Sequence, residues 1–188
     1  MHRLSSSFVL GFHGCTSDVA NSVVAGGPFR PSTNEYDWLG HGIYFWESDP
    51  ERALEWAREM CARTGGQSKP AVVGAVIDLG LCLDVTTQAA ISSIRDTHQL
   101  YLETLQTAGD PVPSNEGGPD RLSRKLDCAV INFLHAARKA AAQPPIDTVK
   151  GVFIEGGPIY PGAGFHEKTH VQIAVRNSVC IKGVFRPR

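Results

Sequence analysis

The chain alternates between short apolar runs and amphipathic stretches, and each change of pattern marks a predicted element. The apolar run from Phe8 to Phe12 predicts a strand that ends at His13. A polar loop with a helical turn is predicted from Ser17 to Val24, and Gly26-Gly27-Pro28 breaks the chain after it.

The first long helix is predicted from Asp49 to about Arg63. Asp49 can cap it, because Pro50 suits the first helical position and Glu51 the first turn. Its apolar stripe consists of Ala53, Leu54, Ala57, Met60 and Cys61. Gly65-Gly66 then ends the helix.

The remaining pattern predicts strands, a helical region and more strands. Ala71 to Leu79 is rich in β-branched residues and predicts a central strand, with Cys82 to Val85 as its continuation. Two helices, Gln88 to Thr107 and Asp120 to Ala142, flank a turn-rich loop. The three C-terminal strands are Val149 to Glu155, Thr169 to Arg176 and Cys180 to Phe185. This order predicts an α+β fold.

Length and charge narrow the classes of function. A chain of 188 residues is expected to form a single domain. Its formal net charge of -1 gives no global attraction to nucleic acid or to membranes, although a local patch could still serve. No window reaches the roughly 18 apolar residues of a membrane span. The first residues, Met1 to Ser7, lack the apolar stretch of a signal peptide, so we expect a soluble cytoplasmic protein.

The five cysteines are scattered and have no Cys-x-x-Cys spacing. An odd number without that spacing argues against a disulfide framework and against a zinc site. Cys61 and Cys82 are predicted to be buried apolar residues. No metal is expected.

Two short motifs carry the candidate chemistry, Gly11-Phe12-His13-Gly14-Cys15 and Leu39-Gly40-His41-Gly42-Ile43-Tyr44-Phe45. An imidazole and nearby main-chain groups can hold the polar edges of a small planar amide, while a phenol ring covers its flat face. Tyr44-Phe45 then leads directly into the helix start at Asp49.

The order His-Gly, then Gly-Ile-Tyr-Phe, then a late pair of strands resembles the diphtheria-toxin-like, or poly(ADP-ribose) polymerase-like, branch of the ADP-ribosyltransferases. The resemblance implies a split antiparallel β-sheet whose cleft binds NAD with the nicotinamide deepest. It covers Phe8 to Arg63 best. The helical region, about residues 88–143, has no counterpart and is interpreted as a helical insertion in a single domain spanning residues 1–188.

The resemblance assigns most of the NAD site to the first motif. His13 would bond the adenosine-side ribose, and Gly14 would bond the nicotinamide carboxamide through its backbone. Cys15 stands where the family often has Ser or Thr, so this contact can move to Thr16 or Ser17.

The second motif would supply the aromatic part of the site. Tyr44 would stack on the nicotinamide ring, Phe45 would pack behind it, and Gly42 belongs to the same turn. Arg30 lies where a basic residue could meet the pyrophosphate.

The third element of the family is a late-strand residue, usually Glu, and here the matching position holds Gln172. Strand alternation predicts that His170 and Gln172 point into the cleft. An amide oxygen can accept the ribose hydroxyl but cannot take a proton, so His170 is the first candidate base and Glu167 the second. The departure from Glu favours transfer of a single ADP-ribose over polymer formation.

The loop from Pro158 to Phe165 resembles in placement the loop with which the family recognises the acceptor of ADP-ribose. Tyr160 and Phe165 would contact that acceptor. The basic cluster Arg121, Arg124 and Lys125 is interpreted as a solvated helix face.

Four functions remain open from the sequence. The first is ADP-ribosyl transfer to a macromolecule, protein or nucleic acid, by a toxin, defence factor or regulator. The second is NAD hydrolysis, and the third is a non-catalytic module that binds NAD or ADP-ribose. RNA 2′-phosphotransferase chemistry ranks last, because it normally needs more basic residues. A regulatory or antitoxin protein is a candidate partner, and the oligomeric state is left open.

Overall fold

The computed structural model describes residues 8–118, 120 and 122–187, and within them the chain is a mixed α+β protein. The strands are β1 Phe8–Thr16, β2 Ile43–Glu47, β3 Pro70–Asp78, β4 Cys82–Asp84, β5 Asn115–Glu116, β6 Ser123–Arg124, β7 Thr148–Phe153, β8 His170–Val175 and β9 Ile181–Phe185. The four helices are α1 Ser17–Val24, α2 Pro50–Arg63, α3 Gln88–Ala108 and α4 Lys125–Ala140. A 3-10 helix, Ser178–Cys180, precedes β9.

Seven strands form one large sheet in the order β4-β7-β8-β2-β1-β3-β9, while β5 and β6 form a separate ribbon. The sheet is antiparallel except where β4 pairs with β7. β1 pairs with β3 along its whole length. Its ladder to β2 consists of Gly11 with Glu47 and Phe12 with Trp46. Beyond Phe12 the ladder between β1 and β2 therefore stops, and the centre of the sheet opens on that side.

The predicted helix α2 is confirmed, and its ends have the expected chemistry. The Asp49 carboxylate accepts a hydrogen bond from the backbone N–H of Arg52, and Pro50 occupies the first turn. Gly65 and Gly66 adopt positive φ angles just after the helix ends.

The predicted ends of three elements are wrong, in each case because contacts with other parts of the fold set them. β1 does not end at His13, because pairing with β3 keeps it extended to Thr16. Cys82–Asp84 does not continue β3, because Gly80 turns the chain at a φ of 56° and β4 joins the opposite edge of the sheet. α4 begins at Lys125 rather than Asp120, because Ser123–Arg124 pair with Asn115–Glu116.

Hydrophobic residues cover both faces of the sheet. On one face, α3 and α4 pack on β4, β7 and β8 through a cluster of Leu39, Leu83, Ala90, Ile131, Leu134, Ile146, Val149, Phe153 and Ala174. The helical region 88–143 therefore contributes to the main core. Cys61 and Cys82 are buried as predicted, and all five cysteines are buried free thiols.

None of the helices within the described residues has the length and apolar character needed to span a membrane. The N-terminal segment Met1 to Ser7, on which the signal-peptide prediction rests, lies outside the described residues.

Candidate functional site

A cavity of about 790 Å³ opens where β1 and β2 separate. Its walls come from α2, from the loop between α1 and β2, and from the chain around the β5–β6 ribbon and the end of β7. The structure brings together these predicted site residues in its lining: His13, Gly14, Arg30, Gly42, Tyr44 and Gln172. The volume lies within the usual range of small-molecule sites.

His13 bridges the opening between β1 and β2. Its Nδ1 lies 2.8 Å from the carbonyl oxygen of Tyr44. Because a carbonyl only accepts, Nδ1 must carry the hydrogen when the ring is neutral. Burial lowers the pKa of His13, which favours that neutral form. The other ring nitrogen, Nε2, therefore has a free lone pair and can accept a hydrogen bond from a ligand hydroxyl.

Tyr44 is held by its own turn. Its hydroxyl donates to the carbonyl oxygen of Gly40 at 2.8 Å and accepts from the backbone N–H of Leu39 at 3.0 Å. Burial raises the pKa of Tyr44 well above its usual value, so the phenol stays protonated. With the hydroxyl engaged, the ring is the part of Tyr44 that can contact a ligand.

Gln172 has a defined amide orientation. Its Oε1 accepts a hydrogen bond of 2.5 Å from the indole N–H of Trp38. Because an indole N–H only donates, the facing atom must be the amide oxygen. The amide NH₂ is then the group that Gln172 offers to a ligand. The sequence predicted that the oxygen accepts a ribose hydroxyl; it did not reveal the bond from Trp38, which occupies one of the two lone pairs of that oxygen.

His170 and Glu167, the two predicted bases, are not among the residues that line the cavity. His170 is 5% exposed, lies against the rings of Trp38, Trp46 and Phe153, and has Nδ1 2.7 Å from the carbonyl oxygen of Lys168. Burial lowers its pKa. The Glu167 side chain is exposed and accepts from the backbone N–H of Gly157 at 3.4 Å.

Cys15, Thr16 and Phe45 also lie away from the cavity lining. The extension of β1 buries Cys15 in a cluster with Ala20, Val23 and Val73, and burial raises the pKa of its thiol to about 11. Thr16 caps α1 through its hydroxyl, which accepts from the N–H of Val19 at 3.4 Å. Ser17 is the first residue of α1.

Phe45 is fully buried on the other face of the sheet, where its ring contacts His13 and Phe29. It supports the imidazole of His13 rather than packing behind Tyr44.

The sequence interpretation missed an ion pair in the cavity wall. Arg52 Nη2 donates to Glu155 Oε2 at 2.8 Å, and each of the two side chains is 10% exposed. Among the described residues, the buried Arg52 Nε has no hydrogen-bond partner, and Arg52 Nη1 lies 3.5 Å from Glu55 Oε2. No sequence signal joins these residues, because they are far apart in the chain.

The aromatic lining was also missed, although a signal existed for it. All three tryptophans of the chain, Trp38, Trp46 and Trp56, line the cavity. They flank the Gly-Ile-Tyr-Phe motif, which could have marked them as part of the same site. The Arg124 guanidinium lies 4.4 Å from the centre of the Trp38 ring, so Arg124 is not a solvated helix residue. Lys125 pairs with Glu35 at 2.6 Å, and Arg121 lies outside the described residues.

The predicted acceptor loop presents its aromatic residues to solvent. Tyr160 is 55% exposed and Phe165 is 68% exposed, and the loop lies between β7 and β8. In the part of the chain that the structure describes, no group of three or more His, Cys, Asp or Glu side chains is placed to hold a metal ion.

The cavity thus combines a neutral imidazole acceptor, a fixed phenol ring, an oriented amide and a buried ion pair. Such a set can bind a planar ring beside a sugar, hold hydroxyl groups on two sides and stabilise developing charge. Comparisons of the chain with models of protein families, with curated proteins and with solved structures find no match.

Proposed function

We propose that this protein is an NAD-dependent mono-ADP-ribosyltransferase of the cytoplasm, which transfers ADP-ribose to a protein or nucleic acid and releases nicotinamide. The observation that carries the proposal is the His13–Tyr44 bond across the opening between β1 and β2. It brings the two motif residues on which the resemblance depends to one cavity of about 790 Å³. The split-sheet cleft of the ADP-ribosyltransferase type is part of the proposal.

In this proposal five of the lining residues bind NAD. The Tyr44 ring stacks on the nicotinamide, and Nε2 of His13 accepts from a hydroxyl of the adenosine-side ribose. The amide NH₂ of Gln172, oriented by Trp38, donates to a hydroxyl of the nicotinamide ribose. Arg30 at the cavity edge, together with Arg52, favours the pyrophosphate.

Catalysis in this proposal is mainly positioning and electrostatic stabilisation. As the glycosidic bond to nicotinamide lengthens, the ribose gains oxocarbenium character. The pyrophosphate oxygens stabilise that charge, the Gln172 amide holds the ribose in position, and a nucleophile attacks from the side of the loop 158–165. An amide at position 172 supports transfer of a single ADP-ribose.

Hydrolysis of NAD is the second candidate, because water can occupy the same acceptor position. A non-catalytic module that binds NAD or ADP-ribose is the third, and the amide of Gln172 in place of a carboxylate favours it. A single assay separates the three: purified protein is incubated with labelled NAD and a cell lysate. Nicotinamide release with label transfer supports the transferase, release without transfer supports the hydrolase, and binding without release supports the module.

A pair of Tyr44 variants tests the nicotinamide site. Tyr44→Ala removes the ring, and we expect it to abolish turnover and to weaken NAD binding tenfold or more, about 1.4 kcal/mol. Tyr44→Phe is the matched control, because it keeps the ring but loses the bonds to Gly40 and Leu39. We expect Tyr44→Phe to be less stable yet to bind NAD nearly as well. Titration calorimetry measures the NAD affinity of both variants. Unchanged binding by Tyr44→Ala would refute the assignment of Tyr44 to the nicotinamide ring.

A further inference from the structure

The cavity needs a group that can take a proton from the acceptor, and neither predicted base supplies it. Gln172 cannot accept a proton at neutral pH, and His170 and Glu167 do not line the cavity. The carboxylates in its lining are Asp37, Glu59, Asp120 and Glu155.

Three of these carboxylates already have other structural roles. Asp37 Oδ2 accepts from the backbone N–H of Asn34 at 2.9 Å and fixes the preceding turn. Asp120 Oδ2 accepts from the backbone N–H of Gly156 at 3.2 Å. The side chain of Glu59 is 42% exposed and lies 3.6 Å from Lys168 Nζ.

Glu155 lies on the same face of the sheet as Gln172. Gln172 pairs with Gly151, and the N–H of Lys168 donates to the Glu155 carbonyl at 3.0 Å, which extends the pairing of β7 and β8. Since alternate residues share a face, Gly151, Phe153 and Glu155 lie on one side together with Gln172. Glu155 is thus displaced along the cleft from Gln172 toward the loop 158–165.

Arg52 holds the Glu155 carboxylate in the wall of the cavity. The bond from Arg52 Nη2 to Glu155 Oε2 has the length of a charge-assisted pair. The planar guanidinium of Arg52 donates to the Glu155 carboxylate in a defined geometry and so fixes its orientation. The bond engages Oε2, and Oε1 is the oxygen that can serve a substrate.

We propose that Glu155 is the general base that accepts the proton of the attacking acceptor, with Arg52 as the residue that positions it. This inference rests on the proposed function. In the step, the acceptor atom forms a bond to the anomeric carbon of the nicotinamide ribose, and the carbon–nitrogen bond to nicotinamide breaks. Its electron pair stays on the nicotinamide nitrogen, which becomes neutral. The proton of the acceptor moves to the Glu155 carboxylate.

The test uses the full chain with NAD, and water serves as the acceptor. Glu155→Gln retains an oxygen for Arg52 but removes the base, so we expect nicotinamide release to fall about 10²- to 10³-fold, while NAD binding is unchanged. Glu59→Gln is the matched control, because it removes a carboxylate from the same cavity, and we expect it to keep the wild-type rate.

Azide supplies the decisive measurement, because it is a nucleophile without a proton to lose. Added sodium azide should restore release by Glu155→Gln at least tenfold and should yield ADP-ribosyl azide, identified by mass spectrometry. Sodium chloride at equal ionic strength should restore nothing. A merely structural role for Glu155 predicts no such rescue. Should Glu155→Gln fail to fold, Glu155→Asp carries the same test, with a smaller loss of rate and the same rescue expected.

The outcomes separate this inference from the proposed function. If wild-type protein releases nicotinamide and Glu155→Gln does so at the same rate, or is slow without azide rescue, Glu155 is not the base and the proposed function stands. If wild-type protein binds NAD but never releases nicotinamide, the transferase proposal fails and this inference fails with it.

Discussion

Buried histidines make the stability of this protein sensitive to acid. His135 and His170 are buried and His13 is half-buried, and burial lowers the pKa of each ring. His135, on α4, has the clearest case: its pKa falls to about 3 through burial and through the positive charges of Arg176, Arg138 and His41. Within the described residues neither ring nitrogen of His135 has a hydrogen-bond partner.

The variant His135→Leu tests how far this buried histidine lowers the stability of the protein in acid. The folded pKa of His135 lies below the unfolded value of 6.5, so the unfolded state binds more protons as the pH falls below 6.5. Wild-type stability should therefore decrease from pH 6.5 toward pH 3, at about 1.4 kcal/mol per pH unit from this residue alone. His135→Leu should lose less stability between pH 6.5 and pH 4.5 than wild type, by ~2–3 kcal/mol.

Urea denaturation of both proteins at several pH values measures that difference. The comparison cancels the contributions of His13, His170 and the carboxylates, because these are present in both proteins. Parallel stability curves would show that His135 titrates normally in the folded state.

At the scale of elements, β1 and α2 approach so closely that one residue between them must be glycine. A Cβ on Gly14 would lie 2.2 Å from the backbone carbonyl oxygen of Ala53 in α2. A Cβ on Gly74 would lie 2.4 Å from the ring of Phe185. The first neighbour is helix backbone, whereas the second is a half-buried side chain near the C-terminus.

We expect Gly14→Ala to destabilise the protein by about 1–3 kcal/mol, because α2 must shift as a unit. Gly74→Ala is the matched control: Phe185 can rotate away, and the entropy lost from the unfolded chain offsets part of the strain. Its destabilisation should therefore be smaller. Urea denaturation without NAD measures both, and equal losses would show that the position of α2 is not fixed by this contact.

Local chemistry explains which elements the sequence could predict. α2 is confirmed because its cap, its first proline and its terminal glycines all lie within the segment itself. The start of α4 was wrong because its capping partner is distant: the Asn115 side-chain oxygen accepts from the N–H groups of Leu126 and Asp127. Its position depends on the β5–β6 ribbon, which hydrophobic periodicity does not reveal.

In the candidate site, too, residues within local motifs could be predicted and residues joined only by the fold could not. His13 and Tyr44 could be placed in one cavity because each lies in a short motif of glycine and aromatic residues. The Arg52–Glu155 pair joins α2 to the end of β7, and it depends on the order in which the strands assemble. A resemblance to a family carries a residue only where a motif surrounds it, so Glu155 could be found only from the structure.

For the whole molecule, the central question is whether the cavity and the helical region unfold together. The three tryptophans line the cavity, and α3 and α4 pack on the same face of the sheet, through the cluster that contains Phe153 and Ala174. The sheet continues from β4 through β8 and β2 to β9. Since one continuous sheet connects these parts, we expect a single cooperative transition.

Thermal unfolding followed by two signals tests this expectation. Tryptophan fluorescence reports on the cavity and far-ultraviolet circular dichroism on the helices, and the two midpoints should coincide. NAD at 100 times its Kd should stabilise the protein by about 2.7 kcal/mol and raise both midpoints equally, because a ligand that binds only the folded state stabilises all of a two-state molecule. ADP-ribose at the same multiple of its own Kd is the control, and it should act similarly. A fluorescence midpoint below the dichroism midpoint would instead mean that the cavity half unfolds on its own while α3 and α4 persist.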